Sequence, residues 1–187
     1  DIAASTNERA MICAVLPRNH FAGNTLNLER SLEFEVLGHE WRQRATLSAA
    51  QKLYVCGVMN SFVVDWLLRQ KITSHLNMFY VYQVPVPRDI DADLASRIVE
   101  RSARLVCVSS EFDDLAKSVG LGSSRGGATD ATARARLRAE VDGLVAHLYG
   151  ISEAEFVHIL AAFPLVPQPV KVAAHNAYRD VERGLIT

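Results

Sequence analysis

A broad apolar stripe between Ser48 and Lys71 constrains the fold of this chain more than any other feature. Its large apolar residues recur at every fourth position: Tyr54, Val58, Phe62 and Trp66. Residues at this spacing share one face of an α-helix, and the apolar neighbours beside them predict a helix that is largely buried. Ser48 followed three residues later by Gln51 predicts a capping box at its start. We therefore expect one helix over residues 48–71 at the centre of the core.

Size and charge limit the possible functions. With 187 residues, of which 49% are hydrophobic and 22% charged, the chain can form one core of good size. Twenty basic residues against 21 acidic ones give a formal charge of −1. Nucleic-acid-binding proteins usually carry a basic excess, so any contact with nucleic acid would require a local patch.

The cysteines and histidines argue against a disulfide framework or a zinc site. Cys13, Cys56 and Cys107 lie far apart in apolar runs without Cys-x-x-Cys spacing, which predicts reduced, buried thiols. The six histidines lack paired ligand spacing. The sequence has no apolar run of membrane-spanning length and no signal-peptide pattern. We expect a cytoplasmic protein with no membrane partner, and, since the chain begins at Asp1, a piece of a longer polypeptide.

Elements around the central helix predict a mixed fold. Residues Arg9–Leu16 have the pattern of a buried strand, whereas Ser31–Glu40 alternates like a strand but carries glutamates that would suit a helix. Ala92–Val108 is an amphipathic helix whose arginines share the face opposite its apolar residues: Arg97, Arg101 and Arg104. An exposed helix face explains these arginines, and phosphate contact is the alternative.

The second half of the chain is predicted to be helical. Gly120–Thr132 is small, polar and glycine-rich, which indicates a flexible loop. A helical stripe then ends near Gly150, and Ser152 with Glu155 predicts a second capping box. The fold class is thus helix-rich α+β: a small strand-containing recognition lobe packed on a buried helix, with a helical C-terminal tail. We divide it into residues 1–90, part of a recognition domain, and residues 91–187, a helical region containing the loop 120–132.

A polar corner follows the central helix. Its residues can contact phosphates and base edges: Arg69, Gln70, Lys71, Thr73, Ser74, His75 and Asn77. The alternative is that Arg69 to Lys71 solubilise a helix end and offset its dipole, with His75 and Asn77 as local caps. Composition alone favours the alternative.

The sequence lacks the motifs of a self-sufficient active site. The glycines at 120–127 could cradle a phosphate only between a strand and a helix, but a helical pattern precedes them and no Gly-Lys-Ser/Thr follows. There is no Gly-x-Ser-x-Gly motif, and no cysteine lies in an evidently polar setting. The acidic pairs are explained as solvated faces.

Three segments together resemble a known family. Asn60–Lys71 (NSFVVDWLLRQK), His75–Phe79 (HLNMF) and Gln83–Pro87 (QVPVP) are similar to the C-terminal target-recognition region of adenine-N6 DNA methyltransferases of type IIG restriction–modification and phage-defence systems. Asn7–Pro17 resembles a strand upstream of that region. Arg138–Ser152, with Phe156–Pro164, resembles the family's C-terminal tail. These segments follow in the family's order over most of the chain.

The resemblance implies a DNA-recognition fragment. The family's catalytic half carries a glycine-bearing cofactor loop and an Asn/Asp-Pro-Pro-aromatic motif, and this sequence has neither. The resemblance therefore implies no catalytic residues and no cofactor here, S-adenosylmethionine in the parent enzyme, and two partners: double-stranded DNA and a catalytic domain of the same polypeptide. The expected DNA contacts are the corner residues above and those of a first tip: Arg18, Asn19, His20 and Asn24.

Two other interpretations stay open. The chain could be a helical protein-interaction or scaffold module of the same system that never touches DNA, and the neutral net charge favours this. An independent enzyme would require a fold that brings together acids or histidines that are distant in sequence.

Overall fold

The computed structural model describes residues 7–18, 20, 22–23, 26, 28, 32–72, 76–88 and 91–186. Within them the fold is a helix-rich α+β fold, as predicted. The two strands are β1 (Leu32–Leu37) and β2 (Glu40–Ala45). The helices are α1 (Ala49–Met59), α2 (Phe62–Arg69), α3 (Met78–Val81), α4 (Ala92–Val106), α5 (Asp113–Ser118), α6 (Ala131–Leu148), α7 (Glu153–Ala161) and α8 (Gln168–Glu182). No helix of these described residues is long and apolar enough to cross a membrane.

The predicted central helix is two helices. Both halves are buried as expected, and the capping box of Ser48 and Gln51 is present. The helix breaks at Asn60 and Ser61 because both side chains bond to the backbone: Ser61 Oγ caps α2 by accepting from Val64 N, and Asn60 Nδ2 donates to Cys56 O. Such side chains compete with helical hydrogen bonds and favour a new start. The prediction of one continuous helix over 48–71 was wrong at this point.

The N-terminal segment 7–18 packs on α1 and α2 without forming a strand, so the predicted strand Arg9–Leu16 was wrong. The side chains of Asp65 and Asn60 supply the hydrogen bonds of backbone residues 10–13 that follow. Asp65 accepts from Ala10 N and Met11 N, and Asn60 bonds both N and O of Cys13. These side chains satisfy the buried backbone groups that would otherwise need a neighbouring strand.

The stretch Ser31–Glu40, which the sequence left ambiguous, contains strand β1. This strand pairs with β2 in an antiparallel hairpin. One face carries mostly apolar residues, including Phe34, Val36 and Trp41, which are 63%, 58% and 74% exposed. The other face carries ion pairs from Arg44 to Glu33 and Glu35. The alternation that was seen in the sequence thus forms an amphipathic hairpin whose apolar face is exposed.

One core joins both halves of the chain. Its buried residues run from Ala10 through Phe62 and Leu144 to Ile186, on both sides of residue 90. α6 is covered by α4 and by α8, and its Gly143 lets α8 approach so closely that a Cβ atom there would lie 2.8 Å from the backbone of Ala177. The capping box of Ser152 and Glu155 at the start of α7 is confirmed.

The arginines of α4 do not form one exposed face. Arg101 is buried, and its Nε atom lies 2.7 Å from Glu140 of α6. The side chain of Arg97 is 17% exposed. The prediction was wrong because α6 supplies a buried carboxylate to the face of α4 that carries Arg101, which charge patterning within α4 could not reveal.

Segment 120–132 lies against α4 and α6. It contains a short 3₁₀ turn, Ser124–Gly126, followed by buried Ala128, whose N–H donates to Arg104 O at 2.7 Å. Gly127 approaches α4 so closely that a Cβ atom there would lie 2.0 Å from Cys107 O. Gly127 therefore allows close packing of this segment on α4, where a larger residue would not fit.

Candidate nucleic-acid interface

The polar corner begins on a buried ion cluster at the end of α2. The Asp65 side chain is fully buried and pairs with Arg69 Nε at 2.7 Å and with Arg9 Nε at 3.1 Å. Arg69 also donates to Asn7 O and Glu8 O, and its guanidinium lies 4.8 Å from the ring centroid of Phe163. Only 14% of the Arg69 side chain is exposed. The structure thus explains Arg69 by the fold, and its contact with DNA stays a prediction.

A second buried carboxylate lies near this cluster. Asp142 of α6 accepts a hydrogen bond from Phe62 N, the first residue of α2, at 2.8 Å. Burial raises the pKa of Asp142 to about 6, and the nearby charge of Asp65 raises it too, while Arg9 and the Phe62 amide oppose the rise. The positive charge of Arg9 therefore interacts favourably with two carboxylates, those of Asp65 and Asp142.

Beyond Arg69 the polar side chains turn outward. Gln70 and Lys71 are exposed, and Lys71 Nζ donates to Gln83 Oε1 at 3.3 Å. Asn77 is exposed and caps α3 by accepting from Phe79 N at 3.0 Å. We define the α3 surface as Gln70, Lys71, Asn77, Phe79, Tyr82 and Gln83. It combines a cation, three amides and two aromatic rings.

The two aromatic residues of the α3 surface were missed in the sequence. Phe79 is 68% exposed and Tyr82 is 79% exposed, and neither is among the DNA contacts expected from the sequence. The stretch Leu76–Val84 contains the four-residue helix α3, which buries no residue fully. Pro85 and Pro87, which prevent a longer helix here, were the available signal.

The first tip lies elsewhere, next to acidic residues. Arg18 Nη1 lies 3.7 Å from Asp114, and His20 Nε2 lies 3.5 Å from Glu111. Both basic side chains are well exposed, so these pairs contribute little to stability. The neighbouring carboxylates nevertheless lower the positive potential that the tip offers to a phosphate.

Five of the predicted contacts lie outside the described residues: Asn19, Asn24, Thr73, Ser74 and His75. Among those described, no hydrogen bond or ion pair joins the first tip to the α3 surface. Lys71 bonds Gln83 beyond α3 and Asn77 caps α3, whereas Arg18 pairs with Asp114 and His20 with Glu111.

The described part of the chain contains no group of three or more His, Cys, Asp or Glu side chains placed to hold a metal ion. Two surface depressions have volumes of about 270 and 350 Å³. The first is lined by Asn176, Arg179, Asp180 and Arg183, and the second by Trp66, Ile151, Ala154, Glu155, His158 and Ile159. Neither lining set includes a cysteine or serine nucleophile.

Comparison with known protein families, curated proteins and solved structures finds no match for this chain. Any function must therefore be argued from the residues and their geometry.

Proposed function

We propose that this chain is the DNA sequence-recognition part of an adenine-N6 DNA methyltransferase of the restriction–modification type, whose catalytic domain lies elsewhere in the polypeptide. The support is the resemblance of the segments around Asn60–Lys71, His75–Phe79 and Gln83–Pro87, in the family's order. The chain would read a short sequence while the target adenine is flipped into the catalytic domain.

The observation that carries this proposal is the composition of the α3 surface. Lys71 supplies a positive charge that can neutralise a phosphate. Asn77, Gln70 and Gln83 carry amides, which can pair with the N6 and N7 atoms of adenine. Phe79 and Tyr82 present rings that can stack on an unpaired base, a contact worth about 1–3 kcal/mol.

S-adenosylmethionine, which the resemblance implies for the parent enzyme, does not fit the residues of this chain. The candidate glycine segment is packed on α4, where Gly127 faces the carbonyl of Cys107. The sequence also lacks the Asn/Asp-Pro-Pro-aromatic motif. We therefore assign the chain no step of methyl transfer.

The proposal is tested by fluorescence anisotropy with labelled duplex DNA at several salt concentrations. We expect binding at low salt and a log Kd that rises with log salt. Lys71→Ala should reduce the magnitude of that slope by about one. Lys117→Ala, which removes an exposed lysine of α5, is the matched control and should change the slope less.

The aromatic residues are tested with a duplex that contains one abasic site opposite an unpaired base. Phe79→Ala and Tyr82→Ala should each weaken binding to this DNA more than to the intact duplex. Leu165→Ala removes an equally exposed apolar side chain and should affect neither. Equal binding by all variants would contradict the proposal.

A second function, a protein-interaction module, is favoured by the β1–β2 hairpin. Its apolar face exposes Phe34, Val36 and Trp41, and a two-stranded hairpin alone is marginally stable in water. Burial of this face against another protein would stabilise it. Absence of DNA binding by the folded chain at low salt would favour this function over DNA recognition.

A further inference from the structure

We propose that Cys13 and Cys56 are a redox-modification site, at which hydrogen peroxide converts the two thiols into a reversible disulfide. The two residues are distant in sequence and meet where the N-terminal segment crosses α1. Neither the resemblance nor the proposed function depends on this chemistry.

Geometry carries the proposal. The Cys56 Sγ atom lies 3.7 Å from the carbonyl oxygen of Cys13, so the side chain of one cysteine is in contact with the backbone of the other. Asn60 fixes the backbone of Cys13 in this position, because its side chain accepts from Cys13 N at 3.1 Å and donates to Cys13 O at 2.8 Å. The same Asn60 side chain lies 3.6 Å from Cys56 Sγ. One residue thus holds both cysteines together.

The two thiols have different reactivities. The hydrogen bond from Cys56 lowers the pKa of Cys13, against the opposing effect of burial, and Cys13 is the more exposed of the two. The same bond and burial raise the pKa of Cys56. Because the thiolate is the nucleophile, Cys13 is the residue that reacts first.

The reaction follows from this difference. The Cys13 thiolate attacks one oxygen of hydrogen peroxide, the O–O bond breaks, and hydroxide leaves to take up a proton as water. The Cys56 sulfur then attacks the sulfenic sulfur of Cys13, forming the S–S bond, and the sulfenic oxygen leaves as water with the Cys56 proton. Two thiols are oxidised, and one peroxide is reduced to two waters. A dithiol reductant reverses the change by exchange.

The disulfide would tether segment 7–18 to α1. This segment carries Arg9, which pairs with Asp65, and its other attachments are hydrogen bonds to Asp65, Asn60 and Arg69. Oxidation should therefore slow amide hydrogen exchange at Ala10 to Cys13 and raise the urea midpoint of unfolding.

Peptide mapping tests the site. The native chain is treated with peroxide, its remaining thiols are alkylated, and it is digested with trypsin without reduction. Cleavage after Arg9, Arg18, Lys52 and Arg69 places Cys13 in peptide 10–18 and Cys56 in peptide 53–69. We expect a linked pair of these two peptides from monomeric protein, lost on reduction.

Cys107 is the internal control. It is fully buried, burial raises its pKa, and it lies in peptide 105–117, which should stay unlinked. Cys107→Ser should leave the linked pair unchanged, whereas Cys13→Ser should abolish it. Three results would each overturn the proposal. They are links that involve Cys107, links found only in dimers, and alkylation of Cys13 in folded wild-type protein after peroxide treatment. The wild-type map decides even if Cys13→Ser does not fold.

Discussion

The Nε atom of Arg69 lies 2.7 Å from Oδ1 of Asp65, one helical turn earlier in α2. Arg136 and Glu140 of α6 form a pair at the same spacing and the same distance of 2.7 Å. The two pairs differ in environment, since the side chain of Arg69 is 14% exposed and that of Arg136 is 80% exposed. The contrast predicts that Arg69 stabilises the fold and that Arg136 contributes little to stability.

We expect Arg69→Ala to lower the free energy of unfolding by about 3 kcal/mol, since removing one partner leaves a buried charge poorly compensated. Arg9 remains beside Asp65 and limits the loss. Urea denaturation measures it. Arg136→Ala should cost less than about 1 kcal/mol, because Arg136 lies largely in solvent and Arg101 still pairs with the buried Glu140. Equal losses in the two variants would show that burial of the arginine side chain is not the deciding factor.

Asp142 predicts a particular pH dependence. Its pKa is raised to about 6 in the folded state, from an ordinary value of 3.8, so its contribution to stability is fully present below pH 4 and is lost as the pH rises through 6. Asp142→Asn keeps an oxygen that can accept from Phe62 N. At pH 7 it should gain up to about 3 kcal/mol relative to wild type, and at pH 4 much less.

Two variants control the Asp142 experiment, which is measured by urea denaturation at pH 4 to 7. Asp114→Asn removes an exposed carboxylate and should give a difference from wild type that varies little with pH. Asp142→Ala removes the acceptor of a buried N–H and should be destabilised by about 1–3 kcal/mol at pH 4. Its difference from wild type should be smaller at pH 7, where it also lacks the buried charge. A difference between Asp142→Asn and wild type that is constant over this range would contradict the assignment.

Gly143 and Gly57 make another matched pair. Both lie in helices, where alanine is favoured by about 1 kcal/mol. A Cβ atom at Gly143 would meet the backbone of Ala177, whereas one at Gly57 would meet mainly the side-chain ends of Ser102 and Ile98. Gly143→Ala should therefore be the more destabilised of the two in urea, with a net loss of about 1–2 kcal/mol. The reverse order would show that α8 can move away from α6.

Asn60 should contribute to stability through the N-terminal segment. Asn60→Ala removes its bonds to Cys13 N, Cys13 O and Cys56 O, and we expect a loss of about 2 kcal/mol. Amide exchange at Cys13 should become faster while exchange within α6 changes little. Gln70→Ala, an exposed side chain one turn beyond Trp66, is the control and should leave exchange at Cys13 unchanged.

Local patterns predicted the helices well. The stripe from Tyr54 to Trp66 predicted burial of α1 and α2, and both Ser-x-x-Gln/Glu signals predicted capping boxes, because these effects act within one or two helical turns. The helix break at Asn60 and Ser61 was missed although its contacts are local: Ser61 caps α2, and Asn60 bonds the backbone of Cys56.

In the candidate site, too, some features follow from the local sequence and others depend on tertiary structure. The sequence by itself determined which polar residues follow α2, and hence that Lys71 and Asn77 are available at a helix end. Tertiary structure decided that Arg69 also bonds the distant carbonyls of Asn7 and Glu8, that Arg101 pairs with Glu140, and that Phe79 and Tyr82 face outward. The physical reason is that a charge or a ring is buried only when distant parts of the chain supply its partner. Such partners leave no mark in the local periodicity.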